Sequence, residues 1–392
     1  MNLVFAYLHA ILPDKGGTER VAYTVANALK QSGHNVYFMA LEATQEDKAL
    51  VDSPEHILLD AALPVEARQK QIAEACQQLQ IDVIINESGD CGNSDLFTQA
   101  AQNGVKIISC LHLDVYGGIK YFHRGKSGSW LKQAIVSTFL LFGIDIQYLK
   151  NLRSNRQKFR KTLTNSDAVV VVTPIIAEQL KKFTGIYPEK VHSILNPLPF
   201  VDYQPQYNAE IKEKLLVYAG RLSHEKNVNR ILQAWAQIAP KHPDWKLEIA
   251  GTGPLKETLE QYTLKRKIPR VRFLGHVTDI QHLYNRAEYL ILASDCESFS
   301  CVVLESEACG CHPIVFEYPS ASVVIPDAAI GTRVQKHTAS ALAKAISNAI
   351  QSRTTNRHIM ADVALHMETF NMNKLVREWQ ALLEQITSSK QA

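Results

Sequence analysis

The stretch NLVFAYLHAILPDKGGTERVAYTVANALKQSGHNVYFMAL (2–41) indicates the fold class of the chain. It begins with a short apolar run and a loop, continues with an amphipathic helical pattern, and ends with a second apolar run. Thr18 is the expected N-cap of the helix, and Val21, Val25 and Leu29 mark its apolar face. A strand, a helix and a second strand at this spacing predict a βαβ unit, in which the two strands are parallel.

Further short apolar runs alternate with helical patterns along the rest of the chain. In the first half they are IDVIIN (81–86), VKIISCLH (105–112) and SDAVVVVT (166–173). In the second half they are KLLVYAG (214–220), WKLEIAG (245–251), VRFLG (271–275), EYLILAS (288–294) and HPIVFE (312–317). Repeated alternation of this kind favours parallel, doubly wound sheets. The sequence therefore predicts an α/β fold with two Rossmann-like domains facing each other across a cleft.

A proline-containing segment with little periodicity, NPLPFVDYQPQYNAEIKEK (196–214), separates the two series and is typical of an interdomain linker. We therefore expect an N-terminal domain over residues 1–198 and a C-terminal domain over residues 199–365. The amphipathic pattern NKLVREWQALLEQI (373–386) predicts a last helix. We expect residues 366–392, which contain it, to pack back on the first domain.

The composition is that of an ordinary soluble globular protein, with 46% apolar and 21% charged residues among 392. A formal net charge of +3 gives no reason to expect a nucleic-acid partner. None of the seven cysteines forms a CxxC pair, which favours reduced thiols and a cytoplasmic location. The N-terminus matches a first strand better than a signal peptide, and the longest apolar run (134–144) is too short to span a bilayer.

One segment, residues 119–161, departs from the alternating pattern. It is rich in Lys and Arg, has Asp145 as its single acid, and carries the apolar run AIVSTFLLFGI (134–144) with Trp130 nearby. This composition is typical of an interfacial element attracted to anionic lipid, which predicts a peripheral position on the inner face of the plasma membrane. A buried helix with a solvated basic rim is the alternative, and the sequence leaves both open.

Three loops of the second half follow predicted strands and carry small or phosphate-compatible residues. GRLSHEKNV (220–228) contributes Arg221 and Lys226, a fork and a point charge suited to a diphosphate. GTGPL (251–255) and GHVTD (275–279) follow the next two strands, and their glycines permit either a close approach to a ligand or a plain tight turn. In parallel sheets, ligands bind beyond the carboxyl ends of strands.

The first half offers two weaker candidates. Gly16 and Gly17, in KGGTER (15–20), open the first helix, where backbone N–H groups can face an anion. His112 ends the run VKIISCL, where it could bond a substrate hydroxyl or serve only the structure.

Several other kinds of site are not indicated by the sequence. No DxD motif and no His or Cys cluster at ligand spacing occurs, so we expect no bound metal. A GxSxG elbow and a P-loop are also missing, which weighs against hydrolases and kinases. The glycines of the first loop do not form GxGxxG, so a dinucleotide fingerprint is absent.

The stretch DCESFSCVVLESEACG (295–310) predicts a loop followed by a helix that ends at its last glycine. Glu297 lies in the loop at the helix entrance, where a carboxylate is favourable on dipole grounds alone. Glu305 lies two turns into an apolar helix, so it needs a partner or a polar ligand if it is buried. Glu307 is expected to be a solvated surface residue.

The combined motifs resemble the family 4 glycosyltransferases, which have the GT-B fold. The E-x7-E spacing of Glu297 and Glu305 matches the family signature, and GGTERV, GRLSHEKNV, IAGTGPL and FLGHV resemble its other loops in the family order. The resemblance covers both predicted domains and is clearest over residues 215–315. It implies a retaining, metal-independent enzyme that needs no cofactor and moves a sugar from a nucleotide sugar to an acceptor.

The resemblance also implies a role for each matching position. Arg221 and Lys226 would hold the donor diphosphate, Glu305 the ribose, and the loop of Gly16 and Gly17 would close over the phosphates. Glu297 and His112 are the expected catalytic positions beside the donor sugar. The other expected donor-binding residues are Gly251, Gly253, His276, Val277, Ser298, Phe299, Ser300 and Cys301.

Two departures from the family pattern bear on specificity. Ser298 stands where the family usually has glycine, and the insertion at 119–161 matches no general family pattern. We expect a hexose-type sugar from a UDP- or GDP-linked donor, and a cell-envelope glycan or lipid-linked acceptor. A nucleotide-sugar epimerase or a phosphorylase on the same fold, and a non-catalytic nucleotide-sugar-binding protein, are the alternatives.

Overall fold

A computed structural model of the chain describes residues 1–13, 15–51, 53–116, 146–186, 188–200, 211–352 and 360–388. The chain forms two compact units. The first comprises Met1–Pro197 together with Met372–Ala392, and the second comprises Leu198–Asn371. Residues 366–371, which the sequence analysis grouped with the last helix, belong to the second unit.

The first unit is built on a parallel sheet whose described strands follow the order β3-β2-β1-β4-β5-β6-β7. The central strand β1 is buried on both faces, as the continuous apolar run predicts for a parallel sheet covered by helices. The strands are β1 (Asn2–Tyr7), β2 (Asn35–Ala40), β3 (His56–Leu58), β4 (Val83–Asn86), β5 (Lys106–Leu111), β6 (Ala168–Val171) and β7 (Val191–Ser193).

Helices connect these strands, and the last helix of the chain joins this unit. They are α1 (Gly17–Gln31), α2 (Gln45–Leu50), α3 (Val65–Gln78), α4 (Thr98–Gln102), α5 (Ile146–Asn165), α6 (Pro174–Thr184) and, from the C-terminal segment, α14 (Met372–Ser388). α14 packs against α1.

The start of α1 differs from the prediction. Its N-cap is Gly16, in extended conformation and without a side chain to cap the helix, so the expected capping by Thr18 is wrong. Glu19 instead folds back over this end, because a Cβ built on Gly16 would lie 2.5 Å from its Oε2. A glycine at this position therefore makes room for the carboxylate, which is favourable at a helix N-terminus.

The second unit has a parallel sheet whose described strands follow the order β10-β9-β8-β11-β12-β13. Its strands are β8 (Glu213–Ala219), β9 (Lys246–Ala250), β10 (Val271–Gly275), β11 (Ala287–Leu292), β12 (His312–Phe316) and β13 (Thr332–Val334). Its helices are α7 (Val228–Ile238), α8 (Lys256–Lys265), α9 (Ile280–Arg286), α10 (Cys301–Ala308), α11 (Ala321–Val324), α12 (Ala339–Gln351) and α13 (Met360–Met367).

Both sheets reverse their strand order once, between β1 and β4 in the first unit and between β8 and β11 in the second. The prediction of two doubly wound, Rossmann-like units is therefore confirmed. Ligands of such sheets bind in the crevice outside the carboxyl ends of the strands, at the point where the order reverses.

A buried lysine ties together three elements of the second unit. Lys212 is 7% exposed, and its Nζ donates to the carbonyl oxygens of Tyr284 at 3.0 Å, Ala287 at 2.7 Å and Cys309 at 2.9 Å. These carbonyls lie at the ends of α9 and α10 and the start of β11. The ammonium therefore satisfies main-chain acceptors that burial would otherwise leave without donors.

The basic segment 119–161 is described only from residue 146 onwards, as the first part of α5; the apolar run 134–144 lies outside the described residues. Two of its basic residues make contacts inside the first unit. Arg160 donates to the carbonyl oxygen of Thr184 at 3.0 Å, and Lys161 pairs with Asp95. Among the described residues, no helix combines the length and apolar character that crossing a membrane requires.

Candidate functional site

Four loops of the second unit meet at the carboxyl edge of its sheet, because the parallel strands β8 to β11 all end there. Main-chain hydrogen bonds join them: Leu222 N to Thr252 O at 2.8 Å and Gly251 N to Gly275 O at 2.7 Å. A third bond, from the N–H of Asp295 to the carbonyl of Glu225, spans 2.9 Å. The loops named in the sequence analysis are thus neighbours.

Glycine is required at two positions where these loops touch. Gly251 has φ +138°, and a Cβ there would lie 1.9 Å from the carbonyl oxygen of Gly220. Gly253 has φ +153°, and its Cβ would lie 2.6 Å from the carbonyl oxygen of Leu222. Both glycines therefore allow main chains to approach closely. His276 and Val277 follow the next strand, the first exposed and the second half-buried.

An ion pair connects the loops after β8 and β11. Lys226 Nζ lies 2.7 Å from Glu297 Oε1, with the two side chains 24% and 10% exposed. Burial opposes the charged form of the lysine, but the carboxylates of Glu297 and Glu225 outweigh it and raise the pKa of Lys226. The site therefore holds an ammonium group that stays charged at neutral pH.

Arg221 supplies a second cation in the loop after β8. Its guanidinium is 70% exposed and pairs with Glu225 at 3.0 Å, while the buried Tyr218 donates its hydroxyl hydrogen to the carbonyl oxygen of Arg221 at 2.8 Å. The hydrogen bond from Tyr218 fixes the main chain at Arg221, while the Arg221 side chain extends into solvent. An exposed fork on a fixed base is suited to an incoming anion.

The loop before α10 is held tightly and carries one strained residue. Phe299 is buried, and its carbonyl oxygen accepts a hydrogen bond from the Tyr318 hydroxyl at 3.1 Å. Ser300 has φ +67°, a conformation that non-glycine residues seldom adopt, and its buried Oγ has no hydrogen-bond partner among the described residues. Ser298 and Cys301 are half-buried beside it.

The carboxylates of α10 lie in different surroundings. Glu305 is 2% exposed, and Tyr284 Oη donates to its Oε2 at 3.3 Å. The expectation that Glu307 is solvated is wrong, because α13 packs against α10 and leaves the side chain of Glu307 fully buried. Neither oxygen of Glu307 has a hydrogen-bond partner among the described residues, and burial raises its pKa well above the usual value.

In the first unit, Gly16 and Gly17 lie at the start of α1. The loop before them is tied to α2, because Lys15 Nζ pairs with the buried Asp47 at 2.9 Å and the N–H of Ala10 donates to the same carboxylate at 3.2 Å. Asp47 also caps α2 through Thr44. A single buried carboxylate therefore fixes both ends of this loop region.

His112 follows β5 and lies near two acids that the sequence analysis did not single out. Its Nε2 lies 2.7 Å from Glu87 Oε2, and the charge of the nearby Asp90 carboxylate acts on the ring. Both acids are buried and follow β4. Since β4 and β5 are parallel neighbours, the contact with Glu87 arises from strand pairing, which no sequence motif indicates. Among the described residues, no group of His, Cys, Asp or Glu side chains could hold a metal ion.

Comparison with known families matches both units. The model described as Glycosyltransferase Family 4 matches residues 15–199, and the model described as Glycosyl transferases group 1 matches residues 202–364. An uncharacterized glycosyltransferase of Haemophilus influenzae is 23% identical over 94% of this chain and 96% of its own length.

A second relative, from Campylobacter jejuni, is an alpha-1,4-N-acetyl-D-galactosaminyltransferase whose name gives an undecaprenol-diphosphate-linked glycan as substrate; it is 28% identical over 55% of this chain and 60% of its own length. Among solved structures, HepE of Anabaena in complex with UDP superposes with a TM-score of 0.74 at 14% identity, over 98% of this chain and all of that one, which supports the fold. Since the two family models together match most of the sequence and the relatives and fold agree with them, the chain belongs to the family 4 glycosyltransferases, enzymes of the GT-B fold.

Proposed function

We propose that the chain is a retaining, metal-independent glycosyltransferase that binds its nucleotide-sugar donor at the carboxyl edge of the second sheet. The observation that carries this proposal is the meeting of four strand-end loops around the Lys226–Glu297 pair. Arg221 and Lys226 hold the diphosphate, Glu305 the ribose, and Glu297 the sugar. His112 is assigned the contact with the donor sugar that the family resemblance implies.

The charges of the site suit the reaction. When the bond between the anomeric carbon and the phosphate oxygen breaks, negative charge grows on the leaving diphosphate. Cations fixed in place beforehand stabilise that charge more in the transition state than in the ground state. Lys226 is such a cation, because the neighbouring carboxylates keep it protonated. In this mechanism Arg221 adds a second, and the two take the place that a metal ion has in other transferases.

Glu297 has two successive hydrogen-bonding partners in this mechanism. Without a donor its carboxylate pairs with Lys226 at 2.7 Å. With a donor bound, the ammonium turns toward the diphosphate and the carboxylate accepts hydrogen bonds from sugar hydroxyls. Gly251, Gly253, His276 and Val277 border the nucleotide, and the main chain from Ser298 to Cys301 borders the sugar.

The donor and acceptor are proposed from the relatives together with the chain's own features. HepE binds UDP and UDP-glucose, which supports a UDP-linked hexose over a GDP-linked one. The Campylobacter relative acts on a lipid-linked glycan, which supports a lipid-linked or cell-envelope acceptor here. The basic segment 119–161 would then bring the enzyme to an anionic membrane surface on the cytoplasmic side.

Calorimetric titration with UDP-, GDP- and ADP-sugars tests the donor site. Lys226→Met should weaken donor binding about ten- to a hundredfold, since a hydrogen bond to a charged group contributes about 1.5–3 kcal/mol. Lys246→Met is the control. Lys246 lies at the amino end of β9, away from the loops, where it pairs with Glu213. If Lys226→Met binds the nucleotide sugar as tightly as wild type does, the donor site is not where we assign it.

Transfer itself is tested with the donor that binds. NMR of the product should show the donor's anomeric configuration, and a chelator should leave the rate unchanged. An inverted product would refute retention. An isomerised nucleotide sugar, formed without any acceptor, would instead support an epimerase, and tight binding without transfer or donor hydrolysis would support a binding protein.

Flotation with vesicles tests the membrane surface. The protein should float with anionic vesicles at low salt and remain behind with neutral ones. Equal recovery with both kinds of vesicle would contradict the proposal for residues 119–161.

A further inference from the structure

Glu87 and His112 form a buried pair in the first unit. The Glu87 side chain is 3% exposed and the His112 side chain 14%, and Glu87 Oε2 lies 2.7 Å from His112 Nε2. A carboxylate only accepts hydrogen bonds, so Nε2 carries the hydrogen of this bond. The pairing therefore fixes both the orientation of the ring and which nitrogen faces the acid.

A second buried acid lies near the same residue. Asp90 is 8% exposed, and the charge of its carboxylate acts on the His112 ring. Gly89, between the two acids, permits this arrangement, because a Cβ there would lie 2.8 Å from the carbonyl oxygen of Cys110. The short turn after β4 thus places one acid against the His112 ring and a second acid nearby.

The surroundings strengthen the electrostatic attraction within the pair. Glu87 and His112 line a cavity of about 20 Å³ whose other walls are mostly apolar and include Val21, Val25 and Trp379. Charges interact more strongly when little water surrounds them. Burial of the ring opposes its charged form, but the hydrogen bond and charge of Glu87, with the charges of Asp90 and Glu19, raise the pKa of His112.

The charged and titratable groups around the ring come from several elements. Acids face it from the turn after β4 and from the first turn of α1. Next to these acids lie Tyr7 at the end of β1, Cys91 in the same turn, Cys110 on β5 and Lys158 on α5. Carboxylates outnumber cations in this set, which favours a protonated imidazole.

We propose that Glu87 is a positioning residue for the transfer reaction, which orients the His112 ring and holds it as an imidazolium. This inference rests on the proposed function, in which His112 contacts the donor sugar. A neutral histidine has one N–H to donate, and in this chain Glu87 takes it. An imidazolium has a second N–H and a positive charge, both of which suit a donor whose leaving group is becoming more negative.

If the Glu87–His112 pair had a purely structural role, mutation would affect a different property. Buried ion pairs are weak sources of stability, because the cost of removing two charges from water offsets their attraction. A structural pair would change stability on mutation and leave the pH dependence of the reaction alone. A positioning pair would change that pH dependence.

The test compares Glu87→Gln, which keeps a hydrogen-bond acceptor but removes the charge, with wild type. Titration of the His112 ring by NMR, assigned with His112→Asn, should move to lower pH in the variant. Glu55→Gln is the control, because Glu55 also meets a cation, Lys30, at 2.7 Å in this unit but on the surface. Its His112 titration should match wild type.

Activity gives the second readout. The alkaline limb of kcat should move to lower pH in Glu87→Gln, so that the ratio of wild-type to variant activity grows about tenfold or more between about pH 6 and pH 8. Glu87→Asp, which keeps the charge, should recover part of the difference. An unchanged His112 titration in Glu87→Gln would overturn the inference even if transfer is normal. Absence of transfer in wild type would overturn the proposed function, while the NMR titration would still decide the state of His112.

Discussion

Replacing Lys212 by methionine tests how the second unit is held together beneath its site. Methionine has a similar length but donates no hydrogen bond, so the carbonyls of Tyr284, Ala287 and Cys309 would lose their common partner. A buried acceptor left without a donor costs about 1–3 kcal/mol, which gives about 3–9 kcal/mol for three. The variant also recovers the cost of burying the ammonium, which is several kcal/mol and which lowers the pKa of Lys212 in the folded protein. We therefore expect a net loss of about 3 kcal/mol in the free energy of unfolding.

Urea unfolding followed by peptide-resolved hydrogen exchange provides the measurement, because it reports each unit separately. The transition of the second unit should move down by about 1–2 M urea, given a typical slope for a domain of this size. Protection should fall first in β11 and at the end of α10, next to the lost donor. The first unit should unfold as in wild type.

Lys214→Met is the matched control for this variant. Lys214 lies two residues further along the chain, its side chain is 47% exposed, and it pairs with Asp244, which is 52% exposed. An exposed pair contributes little to stability, so this variant should stay close to wild type. If Lys212→Met changes the free energy of unfolding no more than Lys214→Met does, the three hydrogen bonds do not support the unit as argued.

Three further outcomes follow from the second unit. Ser300→Gly should raise the unfolding free energy by about 1 kcal/mol, because it relieves a left-handed backbone at φ +67°; a lower thermal midpoint would contradict this. Gly253→Ala should lower stability by about 2 kcal/mol or more and weaken donor binding, since its Cβ would lie 2.6 Å from Leu222 O; Gly275→Ala, where the nearest atom lies 4.0 Å away, is the milder control in the same thermal and calorimetric measurements. Glu307→Gln should flatten the pH dependence of stability. Because burial raises the pKa of Glu307 in the folded protein, the unfolded chain loses this proton first, and wild type loses stability as the pH rises above the ordinary pKa of glutamate. Parallel stability curves for wild type and variant would refute this.

The central strands of both sheets were predictable from sequence, whereas three edge strands were not. Strands such as β1 and β8 lie between neighbours and under helices, so they need continuous apolar runs that are visible in the sequence. β3, β7 and β13 have three residues each and lie at sheet edges, so their apolar runs are too short to stand out. The prediction that Thr18 caps α1 was wrong for a local reason. Threonine is a good N-cap by type, but the Glu19 side chain already occupies that end of α1.

The candidate site was predictable where single loops carry the residues, and not where contacts cross between elements. Arg221 and Lys226 lie in one strand-end loop, and the order of strands alone brings that loop next to Glu297. The burial of Glu307 depends on α13, more than fifty residues further on, so the helix sequence alone does not reveal it. Glu87 and His112 are 25 residues apart, and only the parallel pairing of β4 with β5 makes them neighbours.

The first unit is assembled from two separate parts of the chain, and this has a consequence for its synthesis. α14 supplies Trp379, which is 5% exposed and lines the same cavity as Val21, Val25 and His112. A ribosome makes residues 198–371 before that helix emerges. The apolar face that α14 covers therefore stays exposed on the nascent first unit until the whole second unit has been synthesised. During that interval the unit is a natural client for chaperones, and a chain released before residue 372 would keep that face exposed.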